Sequence, residues 1–477
     1  MKLHTDICAI LKCRYPIVLA GMGGVARFEL ASAVTHAGGF AFMGMVREPE
    51  TLIRTEVQRM RKAGHEHFGI NVIPAATDPA LLDRQIGLCI DLGVPVVGLF
   101  WEIDRRVVER LRKAGVMVTH QIGSAQEAIE AEDAGAQIII AQGVEAGGHV
   151  RGSEPLGQLL PKVVEAVSVP VLAAGGIARG ADIVTALALG AQGVVLGTAL
   201  MATREAFAHD YHKERLVAAD GGDTRLTADF HVNWPAGAKV RVLGNSVTSG
   251  RHGSPFSSTR IVIGHEDERP IYRFSTDSPL KGMSGQFEEM ALYAGTGVGE
   301  ISDIPSAGER MRRLVAEASD WLGASTPGTA ESSSPVCYAG EIHGVYLGYI
   351  EGDELQSELA AVAGQCGALL RAYQRGKRAD GLPPFDIRAL YYARAYLALT
   401  GRLKGRQPVA VPVLAGESVE LAVERLEEGL ALRLGALNPR IGEDGLRSLL
   451  SGLLASIQVN RRARNGAKPL WHWEATS

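Results

Sequence analysis

A histidine and two glycine turns, at His149, Gly175-Gly176 and Gly197-Thr198, each follow an apolar run in the first half of the chain. The runs are Ile138-Ile139-Ile140, Val169-Pro170-Val171-Leu172 and Val194-Val195-Leu196. Paired glycines let main-chain N–H groups approach an anion with no Cβ in the way. Gly197-Thr198 adds further N–H groups and a hydroxyl at the positive end of a following helix. Lys and Arg are scarce in these turns, which fits a phosphate held by neutral amides. An imidazole one strand end away can accept a proton at neutral pH. The combination predicts a phosphate-bearing cofactor beside a proton-handling residue.

Other positions fit a flat ligand in the same place. Gly147 and Gly148, just before His149, let the main chain pass close to such a ligand, and Glu145 reads as an acceptor that fixes the loop. Gly21, Met22 and Gly23 follow the first strand and offer small residues and a backbone N–H to one edge. Asn71, Gln121 and Gln142 end further strands; an amide within an apolar run needs a partner, and a heteroaromatic ring is one candidate beside a structural role.

These positions require a scaffold of repeated strand–helix units. Short runs at Ile17–Leu19, Phe40–Met43, Gly69–Val72, Val96–Leu99, Val116–Val118 and the three already named are apolar on both faces, as parallel strands between helices are. Glycines at Gly38, Gly64, Gly93, Gly115, Gly135 and Gly190 mark where helices stop before the next strand. Eight such units close a barrel, and the late glycine turns favour that over an open doubly wound sheet. A (β/α)8 barrel carries its phosphate site after strands seven and eight, whereas the open sheet carries it after strand one.

Composition narrows the rest. A net charge of -4 gives no basic field for nucleic acid. Five scattered cysteines without a C-x-x-C pair argue against disulfides and a thiolate metal site, and suggest a reducing, cytoplasmic setting. No apolar run approaches the ~20 residues of a membrane span. Ile7 to Ala20 reads as an edge helix plus the first strand, not a cleaved signal.

Beyond residue 205 the pattern loosens. Helices are expected over Asp210–Ala219 and Ser306–Leu322, a hairpin over Arg260–Phe274, and a return to the core over Gly237–Asn245. The expected division is a barrel core over 1–220, a cap or lid over 221–322, a linker over 323–335 and a mainly α-helical module over 336–477. That module opens with a short hairpin over Val336–Ile350. Its helices are expected near Asp353–Arg375, Phe385–Thr400, Glu417–Leu437 and Glu443–Arg462, with Tyr391, Tyr392 and Tyr396 as core. Through these helices the chain could form a homo-oligomer or hold a partner protein.

The stretches Tyr15–Ala26, Gly69–Val72, Gln142–His149, Ala173–Ile177, Gly197–Thr203, Tyr293–Gly299 and Ala307–Glu309 together resemble nitronate monooxygenase, formerly 2-nitropropane dioxygenase. The resemblance covers roughly residues 1–322. It implies a TIM barrel binding FMN non-covalently, with phosphate contacts at Gly176, Gly197 and Thr198. Ring contacts are implied from Gly21, Met22, Asn71 and Gln121, and His149 as catalytic base. Many relatives carry Gln where this chain has Thr296, and the 246–286 stretch departs from the pattern. The expected activity is oxidation of alkyl nitronates or nitroalkanes by dioxygen to a carbonyl compound and nitrite. Two alternatives stand: an NAD(P)H-dependent reductase of a quinone or enoyl thioester, and a flavin-binding assembly or sensor protein.

Overall fold

The computed structural model describes residues 3–323, apart from 236 and 257–258, and five strand segments between 343 and 474. Eight parallel strands close into a barrel: β1 (Ile17–Leu19), β2 (Phe40–Gly44), β3 (Gly69–Val72), β4 (Val96–Phe100), β5 (Met117–Ile122), β6 (Ile138–Gln142), β8 (Val171–Ala174) and β9 (Gly193–Leu196). β9 returns to pair with β1, Val195 opposite Val18, which seals the cylinder. The six glycines read as helix stops all have positive φ, between 56° and 109°, so each takes the left-handed turn that ends a helix. β5, β6 and β8 run two residues or more past the expected ends, and those extra residues carry Gln121 and Gln142 toward the ligand face.

The helix Asp6–Leu11 lies against one end of the barrel. Ile7, Cys8 and Leu11 pack with inward residues of the strands, among them Val18, Phe42, Val96, Ile140 and Leu172. Burying Ile7 and Leu11 in this floor contributes roughly 2 kcal/mol each.

One strand breaks the βα alternation. β7 (Gly148–Val150) follows β6 directly and stands outside the barrel. It joins an antiparallel sheet with β11 (Lys239–Leu243) and β10 (Thr224–Thr227), so the expected return of residues 237–245 takes the form of strand pairing beside His149. The hairpin expected over Arg260–Phe274 is β12 (Val262–Glu266) and β13 (Arg269–Tyr272), with β14 (Met283–Gly285) on the other side of β12. The two expected helices are observed as Asp210–Val217 and Ala307–Gly323.

The C-terminal residues correct one expectation. Glu417–Leu437 is not a helix: β17 (Ser418–Leu426) and β18 (Gly429–Ala436) pair antiparallel across it. The reason is visible in retrospect, because Val419, Leu421 and Val423 alternate and pair in register with Ala436, Leu434 and Leu432. With β15 (His343–Tyr346), β16 (Val409–Pro412) and β19 (Trp473–Glu474) they form a five-stranded sheet. Within Val336–Ile350, β15 pairs with β18 and β19. The linker over 323–335 lies beyond the described residues apart from its first position, and the other three helical expectations and Tyr391, Tyr392 and Tyr396 lie wholly beyond them.

Candidate active site

The C-terminal ends of the strands surround a cavity of about 570 Å3, within the ordinary range for cofactor and small-molecule sites. Gly21, Met22, Gly23, Asn71, Gln121, Gln142, Gly147, Gly148, His149, Gly175, Gly176, Gly197 and Thr198 all line it. Residues spread over 178 positions of sequence meet here because a parallel barrel delivers every strand's C-terminal end to one face.

The anion cradle is built by backbone. Gly175 and Gly176 have φ of 109° and 73°, a conformation that turns successive N–H groups the same way. Among the described residues, no acceptor meets the N–H of Gly176 or Ile177. Opposite, Gly197 precedes the short helix Thr198–Met201, whose first N–H groups have no partner inside the helix. A side chain at Gly197 would meet nothing closer than 3.7 Å, so that side is open. The Thr198 hydroxyl accepts a hydrogen bond from Gly295 N–H at 3.0 Å and ties this turn to the 293–299 segment.

The flat side of the cavity depends on close passage. A Cβ at Gly147 would lie 2.5 Å from Gly295 N, so only glycine lets the two segments cross. Asn71 packs against Gly21 and donates from Nδ2 to the Gly98 carbonyl at 3.2 Å. Gln142 lines the cavity, yet its amide is committed elsewhere: Nε2 donates to the His149 carbonyl at 2.8 Å and Oε1 accepts from Arg151 N–H at 3.1 Å. Its structural role is therefore to hold β7 in place. Glu145 fixes its loop as expected, its carboxylate accepting from Leu156 N–H.

His149 is half-buried, and its ring lies flat against Trp234 with centroids 3.4 Å apart and planes 5° from parallel. Nδ1 is buried without a hydrogen-bond partner, which leaves Nε2 as the nitrogen open to the cavity. Burial, and secondarily the nearby Arg47 charge, push the imidazole down to about 3, so it is neutral at physiological pH. Tyr293 flanks the ring at 5.7 Å, and its hydroxyl donates to the Thr276 carbonyl at 2.7 Å.

The mouth carries charges that spacing did not reveal. Glu48 pairs with Arg27 at 3.6 Å, and Arg269 bridges Glu266 at 2.7 Å and Asp277 at 2.9 Å. Arg47 has no carboxylate partner among the described residues; it donates to the Asn233 carbonyl at 3.2 Å and sits at φ 61°. Trp234 and Arg47 come from turns that meet the barrel only in the folded chain. The one local signal for Trp234 is a large aromatic in an Asn-Trp-Pro turn, a place where polar residues are usual.

The family model for nitronate monooxygenase matches residues 4–317 of this sequence. The chain belongs to the nitronate monooxygenase family. Its relatives span more than one chemistry. Over 342 residues it is 32% identical to (3aS,4S,5R,7aS)-5-hydroxy-7a-methyl-1-oxo-octahydro-1H-indene-4-carboxyl-CoA dehydrogenase of Rhodococcus jostii, covering 66% of this chain and 96% of that one. It is 30% identical over 271 residues to a probable nitronate monooxygenase of Staphylococcus saprophyticus, covering 48% and 76%. A solved nitroalkane oxidase of Streptomyces ansochromogenes is 30% identical with a TM-score of 0.54, covering 66% and 98%. This member of the nitronate monooxygenase family is an oxidoreductase on a TIM barrel.

Proposed function

We propose that the chain binds FMN in this cavity and oxidises alkyl nitronates, or the parent nitroalkanes, with dioxygen to a carbonyl compound and nitrite. The observation that carries the reading is the placement of His149, its Nε2 open to the same cavity that holds the backbone anion cradle. The residues fit the cofactor. Gly176, Ile177, Thr198 and Ala199 would hold the phosphate through N–H groups that meet no other acceptor among the described residues. Gly21, Met22, Gly23, Asn71, Gln121, Gly147 and Gly148 would border the ring, and these positions give it a wall of small side chains and amides.

When bound, FMN supplies the electron transfer between substrate and dioxygen. The protein's own part is acid–base and electrostatic. His149 Nε2 takes the α-proton of a neutral nitroalkane, and the unpaired Arg47 guanidinium favours the anion so formed. A preformed nitronate needs no base. His149→Asn should therefore lose nitroalkane turnover by about 100-fold or more while retaining nitronate turnover. Equal losses on the two substrates would remove His149 from the base role.

A second reading is supported by the CoA-ester dehydrogenase relative, which aligns over nearly its whole length. On that reading the same cavity serves oxidation or reduction of a carbon skeleton carried on a thioester. Anaerobic bleaching of the bound flavin by a panel of nitronates, acyl-CoA esters and reduced pyridine nucleotides separates the two, since each reading names its own reductant.

A further inference from the structure

The main chain of His149 is held on two sides. Val240 of β11 pairs with it, and Gln142 donates to its carbonyl. Its ring has no comparable polar tether. A catalytic imidazole is ordinarily oriented by a carboxylate or carbonyl on the nitrogen away from substrate, but here Nδ1 is buried with no partner. The Trp234 indole lies against the ring instead.

Trp234 is itself wedged. It is 8% exposed and meets Trp101 edge-to-face at 5.4 Å, and Trp101 meets Phe100 in the same way at 5.5 Å. The preceding Asn233 has φ 73°, and its carbonyl is engaged by Arg47. Its neighbours His231 and Val232 both donate to the Phe274 carbonyl, which ties the turn to the segment just after β13. Trp101 also has a left-handed backbone, at φ 81°. With Arg47 and Asn233 in this conformation at the cavity and Trp101 packed behind Trp234, the local strain is of the kind a fold keeps where geometry matters.

Resting on the reading of His149 as a base, we propose that Trp234 is the positioning residue for that base. Its indole face sets the plane of the imidazole and stabilises the imidazolium formed when the substrate proton arrives. Stacking orients the neutral ring. Protonation turns the same contact into a cation over the best aromatic face available.

The groups around the ring leave this task to the indole. Arg47, from the segment after β2, opposes the imidazolium. The Tyr293 hydroxyl is committed to Thr276, and Gln142 on β6 is uncharged. Arg151, just past the ring's own strand, lies over Trp101 and pairs with Glu127, while Arg241 on β11 is turned to the Val144 carbonyl. Among the described residues, no carboxylate lies against the imidazole to offset its charge.

The test compares Trp234→Phe and Trp234→Leu in the full-length, flavin-loaded protein. The first reading is the NMR shift of the His149 ring protons, assigned by their loss in His149→Asn. The indole ring current should displace them in the wild type, the phenyl variant should keep part of the displacement, and the leucine variant should lose it. Trp234→Leu should lower kcat/KM about tenfold on a neutral nitroalkane and distinctly less on its nitronate, with Trp234→Phe recovering most of the loss. The proposal is overturned if Trp234→Leu leaves the ring shift in place, or if both substrates suffer equally at full flavin content. A wild-type protein inactive on both substrates would sink the functional reading, and the ring shift would still decide whether Trp234 orients His149.

Discussion

Gly176 shows how much of this site is a property of single residues. Its φ of 73° suits glycine, and a Cβ there would lie 3.0 Å from Glu145 Cβ, inside the loop that leads to His149. On the proposed reading, Gly176→Val should therefore weaken FMN binding at least tenfold, measured as the dissociation constant from flavin fluorescence. Unchanged affinity would place the phosphate elsewhere. At this scale the sequence was legible, since all thirteen positions singled out from residue type and strand-end placement, or from the family resemblance, line the cavity. Arg47 and Trp234 were not, because neither lies at a strand end and each acquires its role only from a distant turn. Gln142 was legible as a strand-end amide, but its partner is the protein's own backbone.

At the scale of elements, β7 is the departure that matters. A strict strand–helix alternation would have left His149 on a loop; pairing with β11 puts it on a strand whose partner comes from the segment after the barrel. Gln142 is the clamp on that strand. Gln142→Leu keeps the bulk but orphans the His149 carbonyl and the Arg151 N–H, and should destabilise the fold by about 2 kcal/mol in denaturant unfolding. A change below about 0.5 kcal/mol would mean that β7 is held by β11 alone. The expected barrel strands matched because a buried parallel strand reads as an unbroken apolar run. Residues 417–437 failed for the opposite reason. Ser418–Leu426 interleaves apolar and polar residues closely enough to satisfy a helical period, and only the cross-strand register with Gly429–Ala436 resolves it.

For the whole molecule, acid sensitivity follows from histidines buried in neutral form. His212 is fully buried; its Nε2–H donates to the Tyr293 carbonyl at 3.1 Å, and burial pushes the ring down to about 4. The unfolded chain returns it to about 6.5 and so binds the extra proton. Stability is therefore complete above about pH 6.5 and falls as pH drops toward 4. The loss from this residue alone is roughly 2 kcal/mol at pH 5. His212→Gln keeps an N–H donor for the Tyr293 carbonyl and should flatten the decline between pH 7 and pH 5 in denaturant unfolding. An undiminished slope would assign the acid sensitivity to other groups.

The helix Asp6–Leu11 carries a final consequence. By filling the floor with Ile7, Cys8 and Leu11, it turns a cylinder into a vessel stoppered at its base. On the proposed reading, cofactor and substrate meet at the opposite rim, where the strand ends line the cavity, and a product would leave by that rim before its successor is admitted. Departure by that rim, as much as bond breaking, would then help set how quickly successive turnovers follow one another.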